Sequence, residues 1–127
     1  MEYIKTSKAP APAGHYSQGI RHNDLVFVSG QLAIDPATGE KKLGSIEEQT
    51  KQVLTNVHAI LLAGGSDLSQ VIKVTIFISD ISYWDRVNAV YKQFFGAHKP
   101  ARAIIPSRDL HHGFLIELEA IAIASTA

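Results

Sequence analysis

Apolar residues first gather around a two-residue polar break. Ser17–His22 and Leu25–Ser29 read as strands flanking Asn23-Asp24, a hairpin signal because Asn and Asp tolerate positive φ. Leu25-Val26-Phe27-Val28 is apolar without alternation, the pattern of a strand covered on both faces. Asp35-Pro36-Ala37-Thr38-Gly39 reads as a turn. From Ser45 the period lengthens. Ile46, Val53, Val57, Ile60 and Leu61 share one helical face, with Ser45 as N-cap, Glu48 at the capping-box spacing and Gly64-Gly65 as the stop. Val71–Ser79 is rich in β-branched residues and predicts a strand. Asp80 is expected to cap a second helix whose inner stripe is Trp84, Val87, Tyr91 and Phe94/Phe95, ended by Pro100. Ala101–Ile105 predicts a short strand and Phe114–Ala124 a long one. Ser7–Gly14, with Pro10, Pro12 and Gly14, reads as an extended arm.

The predicted order is β-β-(β)-α-β-α-β-β. It suits an α+β sandwich with one mixed sheet and both helices on one face. The strands are apolar on their other side as well, so oligomerisation through packed sheet faces is expected.

Composition narrows the functional classes. With 127 residues and 46% hydrophobic content, the chain is expected to be one domain over residues 1–127. A domain of that size buries roughly two thirds of its unfolded surface. The lack of cysteine excludes disulfides and thiolate catalysis and fits a reducing, cytoplasmic compartment. Twelve basic and twelve acidic residues cancel, whereas a nucleic-acid binder usually carries a basic excess. Met1–Thr6 lacks a basic region followed by an apolar run, and no run approaches the ~18 residues of a membrane span. Neither a signal peptide nor a membrane span is expected.

The last strand carries the candidate chemistry. Alternation puts Leu115, Glu117, Glu119, Ile121 and Ile123 on one side and Phe114, Ile116, Leu118, Ala120 and Ala122 on the other. Ionised carboxylates among apolar neighbours are costly without a partner. Arg102, between Ala101 and Ala103, offers a planar fork suited to a carboxylate. Its partner is either Glu117 or Glu119, which the pattern slightly favours, or a ligand. The six histidines form no metal signature. His111 and His112 are adjacent and in an extended segment point opposite ways, and there is no HExxH. His58 is expected on a helix surface. Ser17 and Ser29 lack a nucleophile elbow.

Several short runs occur in a telling order: Gly14-His15-Tyr16-Ser17-Gln18, Val28-Ser29-Gly30-Gln31, Asp35-Pro36 with Thr38-Gly39, and Val87-Asn88 with Tyr91 and Phe94-Phe95. Pro100-Ala101-Arg102, Leu110 and Ile116–Ala122 complete the set. Together they resemble the reactive intermediate deaminase (Rid, or YjgF) family over nearly the whole chain. The resemblance implies a chorismate-mutase-like α+β fold, assembled as a homotrimer with sheets packed into a barrel-like core and three pockets at subunit interfaces. It implies cofactor-independent hydrolysis of reactive enamines and imines, such as 2-iminobutanoate, to 2-oxo acids and ammonia. By the same resemblance Arg102 would bind the substrate carboxylate and Glu117 would handle the attacking water. Tyr16 would line the pocket, Ser29 and Asn88 would lie near or support it, and backbone groups near Ile104 would fix the substrate's other end. No metal is implied.

The departures bear on substrate range. His15 stands where the family has proline, His111 where it often has proline, and Ile104 where many members carry cysteine. Two competing readings remain at this point. One is a non-catalytic regulatory protein that binds 2-oxo acids or other small carboxylates. The other is a ribonuclease or translation inhibitor, opposed by the zero net charge. The expected partners are an imino acid and further copies of the chain, without membrane or nucleic acid.

Overall fold

The computed structural model of the chain describes residues 1–125. Six strands and two helices follow the predicted order closely: β1 (Glu2–Ile4), β2 (Gly19–His22), β3 (Leu25–Gln31), α1 (Ile46–Ala63), β4 (Val71–Ile78), α2 (Trp84–Phe95), β5 (Ala101–Pro106) and β6 (Ile116–Ile123). The bracketed third strand expected between the hairpin and α1 is not formed, since that stretch makes only an isolated Ile34–Lys41 bridge; the extra strand is instead the N-terminal β1. It lies at the sheet edge and is too short to stand out by pattern. Asn23 takes φ 52° and closes the β2–β3 hairpin, with His22 opposite Leu25. Ser45 Oγ accepts from the Glu48 N–H at 3.1 Å, as a cap should. Gly65, at φ 82°, turns the chain out of α1.

The helix starting after Asp80 differs from expectation. Asp80 accepts from the Ser82 N–H at 2.8 Å and caps a short 3-10 turn, Ile81–Tyr83, ahead of α2. That turn shifts the helix start to Trp84. Val87, Tyr91 and Phe95 are buried, but Trp84 remains 37% exposed and belongs to no core stripe.

The single sheet runs β1-β2-β3-β6-β4-β5. β6 pairs antiparallel with both β3 and β4, and β5 closes the edge parallel to β4 after the α2 crossover. α1 and α2 cover one face. Val26, Val28, Val74, Ile76, Ile78, Ile116 and Leu118 on that face are buried against Val53, Val57, Ile60 and Leu61 of α1 and Val87 of α2. The opposite face carries Phe27, Thr75, Phe77, Ile105, Glu117, Glu119, Ile121 and Ile123 by register. Within the chain this face is uncovered: Phe27, Ile105 and Ile123 are each at least 40% exposed. Leu25–Val28 is thus covered on one side only here. No helix among the described residues is long and apolar enough to cross a membrane.

Candidate active site

The sheet separates the two residues expected to work together. Arg102 sits opposite Val74 of β4 and therefore projects to the helix side, toward α2. Glu117 sits opposite Phe77 and projects to the uncovered side. Their register positions are three residues apart along β4, about 10 Å, and on opposite faces. Neither Glu117 nor Glu119 contacts Arg102. The ion pairs among the described residues are Arg86–Glu47 at 2.7 Å and His58–Asp67 at 2.8 Å, the latter joining a partly exposed His58 to the end of α1's loop. The expected bridge from Arg102 to Glu117 or Glu119 is therefore not formed within one chain.

Arg102 is instead positioned by α2. One Nη donates to Asn88 Oδ1 at 2.9 Å. The guanidinium carbon lies 4.7 Å from the Tyr91 ring centroid and 5.4 Å from that of Trp84, both cation–π distances. Asn88, Tyr91 and Trp84 occupy one side of α2 because they are three and four residues apart. Their contacts hold the guanidinium plane, while its remaining donors meet no carboxylate among the described residues. Arg102, Asn88 and Tyr91 line a cavity of ≈ 490 Å³ with Lys92, His98 and Lys99 among its walls. Burial raises the Tyr91 pKa, opposed by the Arg102 charge, so the phenol stays protonated beside it. Ile104 lies two residues beyond Arg102 on the same face, half-buried at the core's fringe.

Glu117 belongs to a second group of residues. A Cβ at Gly30 would collide with its carboxylate, so the absence of a side chain there is what admits Glu117 against β3. Burial raises the Glu117 pKa above its ordinary value, reinforced by the Glu119 charge and opposed by His111. Gly30 also lines a small cavity with Tyr16, Gln31, His111 and His112. Tyr16 is half-exposed and rides on the proline-containing arm. Ser29 Oγ donates to Ser17 O at 2.6 Å and so ties that arm to β3 rather than facing the cavity directly.

Three buried or strategic residues escaped the sequence reading. Gln18 is buried and its side chain holds the arm: Oε1 accepts from Thr6 N–H at 2.7 Å, and Nε2 donates to Thr6, Ala9 and Pro10 carbonyls. Gln49 of α1 accepts from the Leu115 N–H at 2.9 Å, two residues before Glu117. Gly30 was seen only as part of a motif. A glutamine on an apolar helix face signals an internal bond in retrospect, but its partner is unreadable without the fold. His111 and His112 also correct the expectation. They do not point apart: their rings stack with centroids 3.7 Å apart, because His112 adopts φ 59° within a 3-10 turn rather than an extended segment. Among the described residues no group of three or more His, Asp or Glu is arranged to hold a metal ion.

A methyl group at Gly30 tests this arrangement. Gly30→Ala is expected to leave the fold intact, since the clash is with a mobile side-chain end, but to displace the Glu117 carboxylate. A changed Glu117 titration by NMR, with a thermal midpoint within a few degrees of wild type, is the expected result.

A fold with one mixed sheet, two helices on one side and this divided set of polar residues defines a Rid-type α+β protein. The Endoribonuclease L-PSP family model matches residues 6–124, and the chain belongs to that family, the Rid/YjgF family its motifs resemble. It is 47% identical over 121 residues to a RutC family protein of Pyrococcus abyssi, covering 95% of each chain. It is 44% identical over 120 residues to the 2-iminobutanoate/2-iminopropanoate deaminase of Bos taurus, covering 94% of this chain and 88% of the bovine protein. The crystal structure of YyfA from Yersinia pestis, a Rid family protein of unknown function, superposes with a TM-score of 0.94 at 40% identity, covering 97% of this chain and 98% of that one. The chorismate-mutase-like fold expected from the motifs is the one observed.

Proposed function

We propose that this protein is a hydrolytic deaminase of reactive 2-imino acids and their enamine tautomers, yielding 2-oxo acids and ammonia. The observation that carries the reading is the state of Arg102. It is a half-buried guanidinium held in plane by Asn88, Tyr91 and Trp84, and no carboxylate among the described residues satisfies it. Such a fork is prepared for a ligand carboxylate. The bovine relative's name supports the choice of imino acids among carboxylates.

The working unit is a homotrimer, in which the Arg102 group of one copy meets the Tyr16–Gly30–Glu117 group of another. Two features support this assembly. The two groups lie on opposite faces of one sheet, and the face bearing Glu117 is apolar and uncovered in a single chain. In this arrangement Arg102 holds the substrate carboxylate in two parallel hydrogen bonds and so fixes the imine carbon. Backbone groups near Ile104 orient the substrate's other end, Tyr16 closes the pocket, and Ser29 keeps the Tyr16 arm in place. Glu117, with its raised pKa, takes a proton from the attacking water and later returns it to the departing amine. None of these steps calls on a cofactor. A cytoplasmic setting accords with a chain that has no cysteine to oxidise.

The ribonuclease reading draws on the names of the family and of some similar structures, and the chain's balanced charge gives it no support. The test is ammonia release from freshly generated 2-iminobutanoate, above the rate in buffer, together with the mass in solution by light scattering. Accelerated release by a species of three chains is the expected result. A wild-type protein that binds 2-oxobutanoate but accelerates no imine hydrolysis would replace the enzyme by a carboxylate-binding regulator.

A further inference from the structure

The loop between β5 and β6 holds a feature that the deaminase scheme above does not use. His112 and Gly113 follow one another at φ 59° and 78°. A histidine in the left-handed region is uncommon. Here it brings the His111 and His112 rings together at 3.7 Å and an interplanar angle of 20°. Both rings belong to exposed residues and line the same cavity as Tyr16 and Gly30. The Glu117 carboxylate rests against Gly30, so the glycine that lines the histidines' cavity is also the one that Glu117 touches.

Stacked imidazoles accept one proton far more readily than two, because the second charge would sit against the first. His112 is the poorer site: burial, the His111 charge and Lys41 all lower its pKa. The His111 charge, by contrast, acts on Glu117 and opposes the rise in its pKa. The charged and titratable groups around the pair are Glu117 on β6, whose own neighbour is Glu119, Lys41 beside the Ile34–Lys41 bridge, and Tyr16 on the arm. Arg108 and Asp109 precede the pair in its own loop.

We propose that His111, stacked on His112, is the proton donor at the Glu117 end of the active site. The proposal rests on the deaminase reading and extends it to the imine nitrogen. As water adds to the imine carbon, its oxygen forms the new C–O bond and one of its protons passes to Glu117. The imidazolium of His111 gives its proton to the imine nitrogen, and the C=N bond becomes a C–N bond in a neutral carbinolamine. In the second step the protonated Glu117 gives its proton to that nitrogen and the C–N bond breaks. Ammonia leaves, the C–O bond becomes C=O, and the hydroxyl proton returns to His111. Both groups regain their starting states.

The experiment is the pH dependence of kcat/KM for 2-iminobutanoate, corrected for hydrolysis in buffer, in wild type, His111→Gln and His112→Gln. Wild type is expected to lose activity on a basic limb, as the donor gives up its proton to solvent. His111→Gln should lack that limb and run at least about tenfold slower on its acid side, since a positioned acid contributes that much or more. His112→Gln should keep the limb, because the donor is still present. A His111→Gln enzyme with the wild-type profile overturns the role of His111 and leaves the deaminase reading standing. A wild type without turnover overturns both. A second measurement needs no activity: the His111 ring titration by NMR should fall to lower pH in Glu117→Gln, and an unchanged titration overturns the proposal.

Discussion

Glu117→Gln is expected to lower kcat by about 10²- to 10⁴-fold, the range of a lost general base, while the 2-oxo acid product still binds. Glutamine keeps the size and one hydrogen-bond acceptor but cannot take a proton from water. The same change is expected to make the folded protein more stable near neutral pH. Burial and the Glu119 charge raise the Glu117 pKa above its ordinary value of 4.5. A carboxyl raised in this way binds its proton more tightly in the folded state than in the unfolded one. Stability is therefore fullest below the ordinary carboxyl range and falls as pH climbs from there through the folded-state value. Near pH 3 both forms of wild type hold the proton, and the variant should gain nothing from this source. Near pH 7 it should gain. Denaturant titrations at the two pH values check the sign, and parallel turnover assays check the rate. A variant that loses activity and also loses stability at neutral pH would make Glu117 a structural residue.

Arg102→Lys is expected to reduce kcat/KM for a 2-imino acid by about 100-fold, the scale of a misplaced reacting group. Lysine preserves the positive charge, so any role in general electrostatic attraction survives. What disappears is the planar fork, its bond to Asn88 Oδ1 at 2.9 Å and its stacking on the Tyr91 and Trp84 rings. Asn88→Ala, which removes one support and leaves the fork, should cost less, about tenfold. The decisive comparison uses an imine with no carboxylate. Wild type and Arg102→Lys should process it at similar low rates, because the interaction under test is missing from both. If the penalty of the lysine persists on that substrate, Arg102 acts on something other than the carboxylate.

Local physics made much of this molecule readable before any coordinates. The hairpin at Asn23, the capped start of α1 at Ser45, its glycine stop and the long β6 all follow from interactions within a few residues. So did the suspicion attached to Arg102 and Glu117, since charged groups among apolar strand neighbours demand a partner. Trp84 and the His111–His112 pair were misjudged for a common reason. Each sits where a single turn changes the direction of a side chain, and the 3-10 segments at Ile81–Tyr83 and His111–Gly113 have no strong local signature.

The sequence by itself determined the two helices, the longer strands and their order, the α+β class and the identity of the charged residues worth pursuing. Only the tertiary structure decided how those residues relate. Insertion of β6 between β3 and β4, with β5 parallel at the edge, sets the register that sends Arg102 toward α2 and Glu117 toward the uncovered face. A strand's alternation says which of its own residues share a face, but the face of one strand relative to another depends on long-range pairing. That pairing divides the candidate site into two groups within one chain. It also supplies the physical argument for joining them between chains.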